Sequence, residues 1–483
     1  ANGSGDLTLS GSLADINATL ASLTYQGSLN FNGIDTMTVL STDSAAATDS
    51  DTVTITVGAV NDTPVVTGPG SAYATNEQTD LNLQGTGFSV TDVDAASGTM
   101  TATFTVGEGT IALTAGDSGV NITTNNASTV SFTGTLAQID NLLTGSSSGT
   151  IVYNNGSDTP TASTTITLTV NDGGNTGIDP GLTADGTSEE DSASQTINVT
   201  SINDVPTIIN LTGDTLNYTE GDGAVVIEQG GNAVVSDVDS ADFDTGTLTV
   251  GFSSGSNPAE DVLAIRHQGS GAGQIGVVGS DVTFGGTVIG SVTGGTGGSD
   301  LVVTFNANAT SVGVTMVVQN VTFENTNTSN PTSSARVVAF QVTDGDGGTS
   351  VVHSTTVNLG VINDPPSLTL SPGGGTYNEG SGGTLVDGTA SVSDADGVDF
   401  ETGVLTVRLA ANGEADDRLS VLHEGTGAGQ VNVVGNNILI DGVTIGSISG
   451  GTGVGDDLLV TFTADANATE VQQVARRIVF SSV

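Results

Sequence analysis

Three acidic pairs with Asp-x-Asp spacing recur along the chain: Asp92/Asp94 in TDVD, Asp237/Asp239 in SDVD and Asp394/Asp396 in SDAD. They begin 30, 33 and 30 residues after Asp62, Asp204 and Asp364, each of which follows an asparagine (Asn61, Asn203, Asn363). A glutamate comes between linker and pair in every case: Glu77, Glu220 and Glu379. A further acidic loop precedes the last strand of a unit, with Asp172 in TVNDGG and Asp344 and Asp346 in VTDGDGG. Carboxylate and amide oxygens are hard donors, and Ca²⁺ takes roughly 6 to 8 of them at about 2.3 to 2.6 Å. The plainer reading is turn chemistry, because Asp and Asn cap turns by bonding their own backbone and DG steps make hairpin turns unaided. Recurrence in register favours the ligand reading for the linker and Asp-x-Asp residues. For Asp172, Asp344 and Asp346 the two readings compete directly.

The elements that position these residues are repeated. AVNDTPVV, SINDVPTI and VINDPPSL place their Asn-Asp pairs 142 and 160 residues apart, which are domain-sized periods. VVSDVDSADFDTGTLTV matches SVSDADGVDFETGVLTV, and GSGAGQIGVVG matches GTGAGQVNVVG, nearly line by line. The divisions fall at 1–61, the end of a repeat; 62–203 and 204–363, full repeats; and 364–483, a repeat lacking its last strands. The expectation is a segment of a longer array, or a subunit whose ends neighbours complete.

Alternating segments such as TLTVGF, LVVTF and VVAFQVTD read as strands. LADINATLASL, LAQIDNLL and ATEVQQVARRI carry apolar residues at helical spacing, and a helical turn or two is expected there before the penultimate strand. Strand number and unit length point to an all-β fold of tandem immunoglobulin-like β-sandwiches in a linear rod. In an up-and-down sandwich the second and sixth loops share the entry pole and the first turn lies at the other. At the second linker this topology would gather Glu77, Asn203, Asp204, Asp237, Asp239 and Asp344, with Asp346 at the margin.

Composition narrows the chemistry. With 53 Asp plus Glu against 6 Lys plus Arg, the formal charge of −47 leaves no basic footprint for nucleic acid. No apolar run reaches the length of about 18 residues needed to insert in a membrane, and ANGSGDLTLS lacks the layout of a signal peptide. With no cysteine there are neither disulfides nor thiolate metal sites. Nucleophilic catalysis has no candidate grouping, and an absence of Trp with 5 Tyr gives little for a sugar-binding floor. GSGAGQIG precedes a strand pattern instead of a helix, so its glycines read as turn residues. His267 and His423 occupy equivalent repeat positions and read as structural.

The linker, Glu and Asp-x-Asp motifs together resemble those of cadherins. They are more similar still to the cadherin-like repeats of giant secreted bacterial adhesins, whose units end in TVTITV-x-x-VNDAPV and carry SDxD and TDGDGG loops. The resemblance implies that Asn61/Asp62, Asn203/Asp204 and Asn363/Asp364 are linker Ca²⁺ ligands. It gives the Asp-x-Asp pairs to the following domain and Glu77, Glu220 and Glu379 to the preceding one. The linker lacks the first Asp of the animal pattern, and no Asp-Arg-Glu loop is found.

The resulting expectation is a non-enzymatic extracellular array at a bacterial cell surface, a stalk or filament stiffened by Ca²⁺. Its partners would be neighbouring repeats and a cell-surface or matrix receptor. The competing expectations are a homopolymer joined by strand addition and, from another class, a glycan-binding or hydrolytic module.

Overall fold

The computed structural model describes residues 5–95, 97–174, 189–397 and 399–483. The chain is all-β, built of tandem β-sandwiches, and divides into two compact units, Ala1–Asp204 and Val205–Val483.

The first unit opens with a helix, α1 (Leu13–Leu20), and an antiparallel hairpin of Gly33–Thr42 with Thr48–Val57. Neither α1 nor the hairpin buries a large apolar side chain, and Ile34 and Leu40 are exposed. A sandwich follows. One sheet orders Tyr73–Asn76, Glu190–Thr200, Ser163–Asn171, Met100–Val106, Thr129–Gly134 and Asn121–Thr124; the facing sheet orders Leu81–Asn82, Thr150–Asn154 and Thr110–Thr114. Met100–Val106 alternates buried and accessible residues, as the two-residue period of a strand requires. Met100, Ala102, Phe104 and Val106 therefore enter a core with Phe132, Tyr153 and Leu168, and Phe88 meets Phe104 edge to face at 5.4 Å.

In the second unit, an eight-stranded sheet places Thr247–Ser254 between Arg336–Val342 and Leu301–Phe305, over a three-stranded sheet that includes Asp261–Ile265 and Val321–Asn325. Further on, a five-stranded sheet runs from Val404–Val407 through Leu458–Phe462, opposite Asp417–Val421 and Ile478–Ser482. These layers enclose separate apolar cores.

The strand topology departs from the up-and-down order. The first strand is split: Val65–Thr67 pairs antiparallel with Ser89–Thr91, whereas Tyr73–Asn76 pairs parallel with Glu190–Thr200. Gly68-Pro69-Gly70 lies between the two halves, where a proline without N–H lets the chain leave one partner for another. Thr207–Ile209 and Thr215–Thr219 repeat the arrangement, the second pairing parallel with His353–Gly360. The Asp-x-Asp loop consequently follows the fourth short strand of its module, Ser89–Thr91, and not the second.

The helical segments form where expected, as α1, α2 (Leu136–Thr144) and α4 (Ala468–Ala475), but three strands follow α2, so it precedes the antepenultimate strand. A further helix, α3 (Ser311–Val318), is apolar nearly all round and escapes a search for periodicity. Burial of Gly313, Val314, Val317 and Val318 is what holds it.

Candidate functional site

Register decides which acidic residues meet. Because Tyr73–Asn76 runs parallel to Glu190–Thr200, with Asn76 opposite Thr200, both strands end at one pole. Glu77 is thereby delivered to the exit linker: it is 4% exposed, and its Oε1 accepts the Ile202 N–H at 2.7 Å. The parallel pairing of Thr219 with Gly360 does the same for Glu220, 7% exposed, whose Oε2 accepts the Ile362 N–H at 3.0 Å. In both residues the second carboxylate oxygen, Glu77 Oε2 and Glu220 Oε1, is buried without a hydrogen-bond partner. A buried acceptor left unmet costs roughly 1 to 3 kcal/mol, more when charged, and the same cost recurs at two repeats.

Antiparallel pairing of Val65 with Thr91 brings the entry linker against the Asp-x-Asp loop. The Asp62 N–H donates to Asp94 Oδ2 at 3.0 Å, and Asp92 Oδ1 accepts from the Asp94 and Ala95 amides, both at 3.0 Å. Asp92 Oδ2 is buried and unbonded. Burial, first, and then the neighbouring Asp92 and Asp62 charges push the Asp94 carboxyl up to about 6, against the relief given by the Asp62 amide. On the other side of the linker, buried Asn61 donates through Nδ2 to Asp172 Oδ2 at 3.0 Å. Asn30, Asp62, Thr63 and Asp92 line a small cleft here.

The last linker repeats the pattern. Pairing of Ser367 with Ser393 sets the Asp364 N–H on Asp396 Oδ2 at 3.0 Å. Asp394 Oδ1 accepts the Gly397 amide at 3.0 Å. Asp364 Oδ2 and Asp396 Oδ1 are buried and unbonded. Asn363 and Asn203 each donate from Nδ2 to the carbonyl of the following Asp at 3.0 Å.

Asp204 closes the first unit. In the second, Asp237 Oδ1 accepts the Asp239 and Ser240 amides at 3.4 Å while Oδ2 is buried and unbonded. Burial and then the adjacent Asp239 push Asp237 up to about 6.

Other sequence candidates behave as turn residues. Asp344 is fully buried and binds its own loop, Oδ1 accepting from the amides of Asp346, Gly347 and Gly348 at 2.7 to 3.0 Å. Asp346 and Glu379 are exposed. His267 and His423 each accept a backbone amide through Nδ1, from Val277 at 2.9 Å and Val433 at 3.1 Å, so both hold the strand that follows. Gly269 and Gly273 have positive φ in the turn before Ile275–Val278, as a turn reading requires.

Two residues escaped the sequence reading, an aspartate that caps its own turn and an asparagine at the cleft. Asp43 stands at the register position of Asp172 and Asp344, eight residues beyond the position that pairs six before each linker Asn, and binds the Ala45 and Ala47 amides at 2.9 Å. Only the strand register reveals it, because LSTDSAAAT lacks the Asp-Gly step. Asn30 is the other: a lone Asn carries no motif.

Among the described residues, no three acidic or histidine side chains are already disposed as a metal cage. The donor chemistry nevertheless fits a hard cation. Carboxylates of the linker and of the module that follows it stand close enough to raise Asp94, and unmet buried oxygens recur at equivalent positions.

No family model matches the chain, and no curated protein does. Among solved structures, it is similar to mouse cadherin-23 EC22-24, at 14% identity over 68% of this chain and 74% of that one, with a TM-score of 0.26. The C-terminal domain of the Streptococcus agalactiae AgI/II polypeptide BspA gives 11% identity over 67% and 100%, TM-score 0.19. Collagen adhesin from S. aureus gives 10% over 62% and 92%, TM-score 0.13. Likeness this low carries no argument about function.

Proposed function

We propose that this chain is a non-enzymatic, extracellular adhesion-type array of cadherin-like sandwiches whose linkers are stiffened by Ca²⁺. The modules divide at 61/62, 203/204 and 363/364. The reading rests on one observation: a module-end glutamate that holds the exit linker amide with one oxygen and keeps the other buried and unbonded, at both Glu77 and Glu220.

At the last linker the ligands would be Glu220 from one module and Asp364, Asp394 and Asp396 from the linker and the next. At the first they would be Asp62, Asp92 and Asp94, with Asn61 and Asp172 securing the linker. The same repeat logic assigns ligand roles to Glu77, Asn203 and Asp204 in the first unit and, separately, to Asp237 and Asp239 in the second. Asp344 and Asp346 support their loop, and Glu379 occupies the equivalent place in the last repeat. A bound cation would supply positive charge to oxygens that otherwise repel one another and so fix the angle between modules. Extracellular Ca²⁺ modules bind at roughly 10⁻⁴ to 10⁻³ M, which suits a bacterial cell-surface stalk or filament of this kind, with a surface or matrix receptor as its outer partner. Small-angle scattering of the chain titrated with Ca²⁺ tests the proposal: the maximum dimension should grow and sharpen with calcium. Superimposable profiles in calcium and in chelator sink it.

A further inference from the structure

The third repeat contains a buried ion pair outside the linker chemistry. Arg336 donates to Asp261 with two hydrogen bonds, Nε to Oδ2 and Nη2 to Oδ1, both 3.0 Å, and neither side chain reaches solvent. Such a pair is weak evidence of stabilisation, because desolvating both charges offsets their attraction. What it fixes is a loop. Arg336 also donates to the Thr332 and Ser334 carbonyls, and Asp261 Oδ1 accepts from Asn325 Nδ2 at 2.8 Å. The adjacent Glu260 accepts the Thr332 amide at 3.1 Å and Asn327 Nδ2 at 3.0 Å. Asn327 Oδ1 accepts the Ser329 and Asn330 amides at 3.2 Å, and its Nδ2 donates to the Asn330 carbonyl at 2.8 Å.

The loop held in this way, 326–335, joins Val321–Asn325 to Arg336–Val342. Arg336 lies opposite Val357 in the strand that ends at Gly360, so the loop stands at the pole where the linker leaves. Pro331 in this loop is buried, and a proline also restricts the residue before it. That residue, Asn330, is exposed, and its Nδ2 donates to the Ala395 carbonyl of the next repeat at 2.8 Å. Ala395 is the middle residue of the Asp394/Asp396 loop. The second repeat has neither half of this arrangement. Thr164 holds the register position of Arg336, each opposite a residue six before a linker Asn. Its loop is shorter, 155–162, with Thr159 before the proline. The ion pair and the reaching asparagine therefore occur together.

We propose that the loop 326–335 is a latch between the third and last repeats, with Asn330 as its contact and the backbone of the Asp394/Asp396 loop as its partner surface, and that it acts without a cation. A neutral amide can approach an acidic pair without adding charge to it, and it supplies the hydrogen that a backbone carbonyl needs. A single exposed hydrogen bond between modules is worth little if both sides must first be ordered. The Arg336, Asp261, Glu260 and Asn327 network orders the donor side beforehand, and the Gly397 amide on Asp394 Oδ1 steadies the acceptor side. The buried pair thus serves loop conformation, and through it the angle at this one linker.

The test is made entirely in chelator, so its result does not depend on the calcium reading. The chain has no cysteine, and Ser280→Cys with Asn436→Cys places one nitroxide label at an exposed turn of each of the two repeats. Pulsed electron paramagnetic resonance on the 483-residue chain then gives the distribution of distances between them. A narrow population is expected in the parent. Asn330→Ala should lower the ratio of narrow to broad populations roughly two- to tenfold, the worth of one hydrogen bond. Asn330→Asp, which lacks the donor and sets a charge beside Asp394 and Asp396, should lower it further. Calorimetry should find the third repeat's unfolding transition unmoved in Asn330→Ala, because the Asn330 backbone bonds to Asn327 remain. A broad parent distribution, a parent and Asn330→Asp that coincide, or a transition that falls with Asn330→Ala overturns the inference.

Discussion

Replacing Glu220 by glutamine separates the two roles the structure gives that carboxylate. One oxygen accepts the Ile362 amide at 3.0 Å, and a glutamine carbonyl can do the same. The other, Oε1, is buried and unbonded, so in chelator the native protein bears an unmet charged acceptor. Glutamine removes the charge but puts an NH₂ in its place, leaving a milder unmet group. Since a buried unmet polar group costs roughly 1 to 3 kcal/mol and a charged one more, E220Q should equal or exceed the native chain by about 1 kcal/mol without calcium.

Calcium should reverse the order. For a site with a dissociation constant of about 10⁻⁴ M, 10 mM Ca²⁺ is about a hundredfold excess and stabilises the folded state by about 2.7 kcal/mol. Without the glutamate oxygen most of that increment should go. Calorimetry that resolves the separate unfolding transitions, run with chelator and with calcium, reads both numbers; exchange of the Ile362 amide reports the linker locally. A loss of equal size in both conditions would show Glu220 to be a linker hydrogen bond alone. No calcium increment in the native chain would remove the metal from the account.

The Asp94 carboxyl, pushed up to about 6 by burial first and then by the Asp92 and Asp62 charges, gives a pH dependence with a definite sign. The folded, calcium-free module holds a proton that the unfolded chain has released, so this group's contribution to stability falls as pH rises from about 4 to about 6. Calcium must displace that proton, so its affinity, measured by titration calorimetry, should drop as pH is lowered through about 6; a flat profile from 5 to 7.5 contradicts the assignment. In the third repeat, Arg336→Ala leaves Asp261 buried and unpaired and should cost about 3 to 5 kcal/mol in that module's transition, while the paired Arg336→Met, Asp261→Leu change should cost far less. Equal losses would mean that Arg336 acts through packing alone.

The linkers, glutamates and Asp-x-Asp loops were legible in the sequence because their spacing survives whatever the strands do between them. What gathers them was not. The up-and-down assumption does put the loops at the right poles, yet Glu77 meets Ile202 through a parallel pairing that no alternation pattern encodes. The switch depends on a broken first strand at Gly68-Pro69-Gly70. Asp43 was missed for a related reason, since its equivalence to Asp172 exists only in register. The Arg336–Asp261 pair was missed because buried ion partners 75 residues apart leave no periodic mark. Asp344 shows the opposite limit: its motif is conspicuous, and its Oδ1 is engaged by its own turn.

These distinctions bear on which acidic residues a cation would have to recruit. Where backbone amides already bond a carboxylate oxygen, as at Asp344 Oδ1, binding a metal there gives up existing hydrogen bonds and the net gain is small. Glu77 and Glu220 offer the reverse case, one oxygen fixed by a linker amide and its twin held out of water with nothing to bond. The fixed oxygen sets the orientation, so little side-chain entropy remains to be lost on binding. The unmet oxygen gives binding its free energy. Because the amide belongs to the linker and the glutamate to the module before it, a cation that filled that oxygen's valence would tie the linker to that module.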